Sequence, residues 1–438
     1  MKIIPKFLGL FNYKVEQNSF DGNKPISSAI LKGKVCSYID IDFDKPTTVN
    51  LITLFEKGEN ITDFEIYAET DGTLKKVYKQ NRISDFRVCA IPEMQVTKIR
   101  IIVLGTRSGT FDEIKAFVYN LPKKERSFRK TAYLTTESYE NVDVSLIKHY
   151  TNFNLIGGVK VDVKSGEINY SEVEIDGAKC SARVKLEGAL ELVRKNNPTA
   201  DIVVTLFSDG SFMDMMKNPN TIGSIKNFLD EFNLNGISFD WEYPKNGIEW
   251  RAFDKFIINL KAAIGEKTLT LALASWIRYN FSKKALDSID VAEVMTYDNM
   301  QRDIDGHHSE FYIDGPNAIY HFVDKGFKLS QLNLGLPYYA RPVDGTGYWK
   351  NYKDEVSQMD RFTNVVHGDY EDLDWKQKTI TVKDRFYNGC QMVEDKTAFC
   401  IYSGVGGIMV WHIGTDVPDS HELCLSKTVT DTVNSRTE

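Results

Sequence analysis

Eight short β-rich runs separated by helical patterns fill the chain from about residue 131 onward, and this alternation constrains the fold more than any other feature. The runs are Ala132–Thr135, Phe153–Val159, Asp201–Phe207, Gly236–Asp240, Leu269–Ala274, Val291–Thr296, Leu332–Leu336 and Gly407–Trp411. Between them Ile222, Ile225, Phe228, Leu229 and Phe232 recur at helical spacing. Ile319, Phe322 and Val323 do the same ahead of Gly326, where a helix C-cap is wanted. Eight strands with intervening helices over about 300 residues is the count of a (β/α)8 barrel. A doubly wound parallel sheet uses the same alternation, so the count alone leaves both open. The stretch of about 341–386 interrupts the pattern with Gly345, Gly347, Tyr348, Trp349, Trp375 and a β-like run at Thr379–Val382, and reads as an insertion between the seventh and eighth units.

Residues 1–121 have a different texture. Phe64, Ile66 and Ala68 alternate with polar Glu65 and Glu69, a Thr70-Asp71-Gly72-Thr73 turn follows, and Ile99, Ile101, Val103 and Ile114, Ala116, Val118 repeat the period of two. Short alternating strands without a helical stretch predict a β-sandwich. Residues 122–130 carry five basic charges and one acid without apolar periodicity, and are expected to be a solvated linker. The barrel is then expected over 131–426, followed by a polar, frayed tail at 427–438.

The net charge of −7 gives no electrostatic reason to bind nucleic acid or an anionic membrane surface. No window approaches 18 apolar residues, so no membrane span is expected. The N-terminal apolar stretch is cut by Pro5 and Lys6 and reads as a poor signal peptide. The six cysteines show no C-x-x-C pair and the seven histidines no H-x-x-x-H spacing, so neither a metal nor another cofactor is expected, and most cysteines are expected to be buried thiols. All six tryptophans lie at or after position 241, a hint that the chain has unlike halves, and the charge balance fits a neutral partner better than a polyanion.

The strongest local chemistry is in Asn235-Gly236-Ile237-Ser238-Phe239-Asp240-Trp241-Glu242-Tyr243-Pro244. On a strand, Ile237, Phe239 and Trp241 share one side while Ser238, Asp240 and Glu242 share the other. In a barrel this places both carboxylates inside at the C-terminal end of a strand, where active sites lie. Two carboxylates so close repel when both are ionised, so one pKa should rise and keep a proton available near neutral pH.

This segment resembles the D-G-x-D-x-D-x-E signature of glycoside hydrolase family 18, the chitinases. Met295-Thr296-Tyr297-Asp298, Leu334-Gly335-Leu336-Pro337-Tyr338-Tyr339-Ala340-Arg341 and Gly406-Gly407-Ile408-Met409-Val410-Trp411 are similar to the family's motifs on strands six, seven and eight. The resemblance covers about residues 130–425 and implies a (β/α)8 barrel that hydrolyses β-linked N-acetylglucosamine polymers or glycans, acting as a monomer without a cofactor. It implies a retaining mechanism in which the substrate's own acetamido group is the nucleophile. By position Glu242 would be the general acid and base, and Asp240 would hold the acetamido N–H. Tyr297 would donate to the acetamido oxygen, Asp298 would bond near the acid or a sugar hydroxyl, and Trp411 would floor the reacting sugar. Ser238, Tyr338, Arg341 and Trp276 complete the implied substrate-binding set. The chain departs from the family at Asn235 and Ser238, where aspartates are usual, and in the strand-three stretch Thr205–Gly210. These departures imply reduced or pH-shifted activity and keep a chitinase-like lectin as the alternative. The N-terminal region, in Ile39–Pro46, Phe64–Ala68 and Lys98–Val103, resembles galactose-binding-like, discoidin-type sandwiches.

Overall fold

In the computed structural model, eight parallel strands close on themselves: Arg129–Thr135, Asn152–Ile156, Asp201–Ser208, Gly236–Phe239, Thr268–Ala274, Val291–Met295, Leu332–Pro337 and Gly407–Trp411. Closure comes from strand eight pairing with strand one in the register Met409 to Thr131, so the alternation resolves to the barrel and not the open sheet. The structure describes residue 20 and residues 23–438, apart from 176–177, 278, 344–346 and 375. The expectations resting on the first nineteen residues, on Gly345 and on Trp375 lie outside the described residues.

Each expected run falls on a barrel strand, with one adjustment. Phe153–Val159 divides at Gly157 and Gly158, both at positive φ, and Val159–Val161 then forms a separate short strand against the end of strand three. Leu155, Ile237, Phe239, Leu269, Leu334 and Val410 face outward into one continuous apolar core with the surrounding helices. The barrel interior holds a polar layer instead. There Thr205 Oγ1 donates to Asn154 Oδ1 at 2.7 Å, and Asn333 Nδ2 donates to Glu293 and Thr131 at 3.2 and 3.1 Å. Helix Thr221–Glu231 and helix Ala318–Asp324 carry the apolar spacing read from the sequence. The insertion is a four-stranded antiparallel sheet of Tyr339–Pro342, Lys350–Asn351, Val365–Leu373 and Thr379–Phe386, so the β-like run at Thr379 extends to Phe386.

Ahead of the barrel stands a six-stranded antiparallel sheet, in the order Ser27–Lys34, Thr110–Tyr119, Tyr38–Lys57, Arg87–Thr106, Ile61–Thr70, Thr73–Gln80. Two of these strands run 20 residues and shift register between Asp42 and Thr47 and between Val49 and Leu51, irregularities that bend a strand. The hairpin at Thr70–Thr73 turns through Asp71 and Gly72, both at positive φ, as a tight antiparallel turn requires. One face of the sheet encloses its own core of Ile52, Leu54, Phe64, Ile66, Ile99 and Ile101. Residues Leu51, Phe86, Val88, Ala90, Phe117 and Tyr119 belong to the barrel's apolar core. Arg87 and Asp395, both fully buried, pair across this junction at 3.1 Å, and Asp395 also accepts from Tyr78 and from the Ala90 N–H.

Two expectations at the barrel's ends are corrected. The stretch expected as a solvated linker is anchored: strand one begins at Arg129, Phe128 is buried, and Lys124 bonds through its backbone to Arg436 and Glu438. The expected frayed tail is helix Leu425–Arg436, which buries Leu425, Val429 and Val433. Its Arg436 guanidinium donates to the carbonyls of Asn50 and Ile91 in the N-terminal sheet. Few apolar residues in this stretch hid a helix whose buried face is largely threonine and serine hydroxyls bonded to its own carbonyls and to Asp416. Among the described residues no helix is long and apolar enough to cross a membrane. All six cysteines are free thiols, four of them buried.

Removing one partner of a fully buried ion pair leaves the other charge uncompensated, at a cost of about 3–5 kcal/mol. Arg87→Met is therefore expected to lower the unfolding free energy by that amount, measured by urea titration; a loss within the scatter of surface substitutions would contradict the role given to the pair.

Candidate active site

Strand four ends at Phe239, and the residues just beyond it keep the strand's alternation. Trp241 holds them in that phase. Its indole stacks on Phe212 at 5.2 Å and meets Phe253 edge-on at 5.3 Å, on the helix side of the wall. Asp240 and Glu242 are thereby turned the other way. The following segment is fixed by Asn246, which caps helix Gly247–Ile264 through the N–H groups of Ile248 and Glu249, while Glu249 accepts from the Lys245 N–H at 2.6 Å.

Asp240 and Glu242 line a cavity of about 560 Å³ at the C-terminal mouth of the barrel, within the usual range for small-ligand sites. Small side chains on strand five, Ala272 and Ala274, leave room on one wall, and Tyr297, Asp298, Tyr339 and Arg341 form another. Trp411 packs on Tyr133 at 5.3 Å and lies nearly parallel to Trp349 at 6.4 Å, giving the cavity an apolar floor. Trp276 stands at the rim with 53% of its surface exposed and its edge toward Tyr243. Gly335 is required beneath Tyr297, since a Cβ there would come within 2.9 Å of the phenol ring.

The electrostatics separate the two aspartates. Burial pushes the Asp240 carboxyl up, the neighbouring Glu242 carboxylate adds repulsion, and a hydrogen bond between the two carboxyls favours the shared proton; together they raise Asp240 to about 8. Asp298 moves in the opposite direction. Burial would raise it, but the nearby His308 ring, the Arg341 charge and the Tyr339 hydroxyl outweigh that and hold it below the usual carboxylate range. Arg341 Nε lies 3.3 Å and His308 Nδ1 3.6 Å from Asp298 Oδ1. Burial, with the negative groups around it, keeps the Tyr297 phenol protonated and so a donor.

Of the residues singled out in the sequence, Glu242, Asp240, Tyr297, Asp298, Trp411, Arg341 and Trp276 converge on this cavity. Tyr338 does not. It is fully buried in the core, its hydroxyl 3.4 Å from that of Tyr150, because alternation along this segment turns Tyr339, the residue after it, inward. Ser238 lies below the cavity, wholly buried, with its hydroxyl beside Tyr133. Asn235 is remote, at the opposite end of strand four, where it accepts from Ile202 N and donates to Asp201. His307 and His308, which the sequence did not single out, are both buried, and the His308 ring faces Asp298. Only their closeness to the strand-six motif hinted at this placement. Tryptophan position was a partial guide, since Trp241 and Trp250 pack in the wall and core rather than in the cavity. Among the described residues no cluster of metal-binding side chains occurs.

The family profile for glycosyl hydrolases family 18 matches residues 126–416, well over half of the chain. The chain belongs to this family. Solved structures similar to it include a family 18 chitinase from the chitin utilization locus of Flavobacterium johnsoniae, at 19% identity and TM-score 0.53, covering 71% of this chain and 94% of that one. A chitinase from Bacteroides thetaiotaomicron matches at 18% identity and TM-score 0.55, covering 70% and 97%. A chitinase-like agglutinin from Robinia pseudoacacia matches at 20% identity and TM-score 0.53, covering 70% and 99%. At these identities the structures support the fold; family 18 membership rests on the profile match, and the family includes both hydrolases and lectins.

Because desolvation and Glu242 both raise Asp240, Glu242→Gln should bring its titration midpoint down from about 8 while leaving it above 3.8. Carboxyl-carbon NMR titration reads this directly, and an unmoved midpoint would contradict the coupling.

Proposed function

We propose that this protein is a glycosidase hydrolysing β-1,4-linked N-acetylglucosamine in chitin, chito-oligosaccharides or related glycans, by a retaining, substrate-assisted mechanism. The observation that supports it is the proton-holding Asp240–Glu242 pair in the wall of an aromatic-floored cavity. In the proposed reaction a sugar stacks on Trp411 and its acetamido carbonyl oxygen attacks the anomeric carbon. The bond from that carbon to the glycosidic oxygen breaks, and the oxygen takes from Glu242 the proton the pair shares, which passes from Asp240 to Glu242 and leaves Asp240 ionised. Asp240 accepts the acetamido N–H and offsets the positive charge of the oxazolinium, while the Tyr297 hydroxyl donates to the acetamido oxygen. The Glu242 carboxylate then takes a proton from water as that water attacks the anomeric carbon, reopening the ring with retained configuration. Asp298 and Arg341 orient the acid and the sugar hydroxyls, and Trp276 extends the stacking surface. Chitin binding and monomeric action belong to the same proposal, as does a discoidin-type character for the N-terminal sheet.

Sign follows from the pair's single proton. It is held below about pH 8 and lost above it, so turnover should fall as pH rises through that value. The second reading, a lectin with little turnover, draws on the absence of a second buried carboxyl at Ser238. A fluorogenic N-acetylchitobioside separates them. The wild type is expected to turn it over and Glu242→Gln to lose about 10²–10⁴-fold in kcat with oligomer binding retained. Binding without turnover in the wild type across pH 4–8 would establish the lectin, and equal turnover by the variant would remove Glu242 as the acid.

A further inference from the structure

The loop that follows strand six carries His308 to Asp298, and the grip on that loop comes from the N-terminal sheet. Arg82, only 4% exposed, pairs with Asp303 and lies 3.3 Å from Asp305. Arg107 closes a two-pronged pair on Asp305 at 2.7 and 2.5 Å. Ser84 donates to Glu310 at 3.2 Å, so residues flanking the strands of the sheet hold the loop at its middle and its far end. The hold continues inward. Asp303 gives one carboxylate oxygen to Arg82 and the other to the N–H groups of Asp305 and His307, at 2.9 and 3.0 Å. The His307 ring stacks on Phe386 of the insertion at 4.5 Å and its Nδ1 accepts from Ser309 N at 3.0 Å. His308 sits between these anchored residues, its carbonyl accepting from Asn299 N at 3.0 Å and its buried ring facing Asp298.

Asp298 needs such support. Its φ of 60° is in the left-handed region, which costs a non-glycine residue about 1–2 kcal/mol and persists only where its surroundings over-determine it. His308, Arg341 and Tyr339 supply the contacts, and of these His308 is the one carried by the loop that the N-terminal region grips.

We propose that the N-terminal sheet is an integral brace of the active site, in which Arg82, seconded by Arg107, is a positioning residue that fixes the loop after strand six and, through His308, the catalytic geometry of Asp298. This rests on the cavity being the site of turnover proposed above. The sheet then serves the reaction as part of the site's wall and is not a detachable sugar-binding module. Fixing a group this close to the reacting atoms matters because a displacement of about 1 Å can cost on the order of a hundredfold in rate.

The test compares kcat, KM and thermal midpoint for the full chain and for Arg82→Gln, Arg107→Gln, His308→Gln, Arg82→Gln/His308→Gln and Arg436→Met, on N-acetylchitobioside well below each midpoint. Arg82→Gln is expected to lose on the order of tenfold in kcat with little change in KM, and Arg107→Gln about threefold. The double variant should be no slower than His308→Gln alone, because both changes act through one contact. Arg436→Met, which loosens the same junction far from the loop, should lower the thermal midpoint and leave kcat in place. If Arg82→Gln does not fold, the exposed Arg107 pair carries the comparison. A folded Arg82→Gln or Arg107→Gln with wild-type kcat, or losses that multiply in the double variant, would overturn the brace while leaving the hydrolase reading intact. A wild type silent on the substrate would overturn that reading instead. Chitotetraose Kd from tryptophan quenching is expected to stay near the wild-type value in Arg82→Gln, as KM does, and a Kd that weakens in step with kcat would assign Arg82 to ground-state binding and overturn the positioning role.

Discussion

Two carboxylates two positions apart at the end of one strand must face the same way, and where they are drawn out of water together they cannot both be ionised without large cost. This constraint organises the rest of the site. Asp240 and Glu242 share a wall because Trp241 between them is locked against Phe212 and Phe253 on the other side. The proton that must remain is the resource a glycosidase acid needs. A barrel supplies the setting, since its parallel strands all deliver their C-terminal ends to one mouth.

Around that pair the walls divide the labour by environment. Asp298, a third carboxylate in the same cavity, is held below the usual carboxylate range by His308, Arg341 and Tyr339, so it remains a charge that orients, while the Asp240–Glu242 pair retains a proton between its two carboxyls. Stacking area comes from Trp411, Trp349 and Trp276, whose rings leave the mouth open. The N-terminal sheet shares an apolar core with the barrel and crosses to it through the buried Arg87–Asp395 pair. An interface of that kind resists relative motion in a way that a solvated linker would not.

Much of this was legible in the sequence where the signal is local. Strand periodicity marks the eight barrel strands, and the alternation at Ser238, Asp240 and Glu242 locates the pair. What escaped was decided by tertiary context. Tyr338 was named from the resemblance alone, and only pairing of Tyr339–Pro342 within the insertion sheet shows which phenol faces inward. The role of His307-His308 escaped because nothing nearby in sequence reveals that Phe386 packs on this loop and buries it. The C-terminal helix was missed because its buried face is polar and satisfied by Asp416 and its own carbonyls, a pattern without apolar periodicity. Asn235 and Ser238 looked equivalent as departures from the family motif. The structure separates them, with Asn235 holding strand edges at the far end of the barrel and Ser238 directly below the cavity.

The central claim is that the substrate's acetamido group is the nucleophile and Glu242 its acid. The most direct measurement is proton NMR of the anomeric signals during the first minutes of hydrolysis, with chitotetraose and its fully N-deacetylated counterpart compared. The account predicts that the β-anomer of the shorter N-acetylated product accumulates first and that the deacetylated oligomer is not cleaved. An initial α-anomer, or equal cleavage of both oligomers, would contradict it.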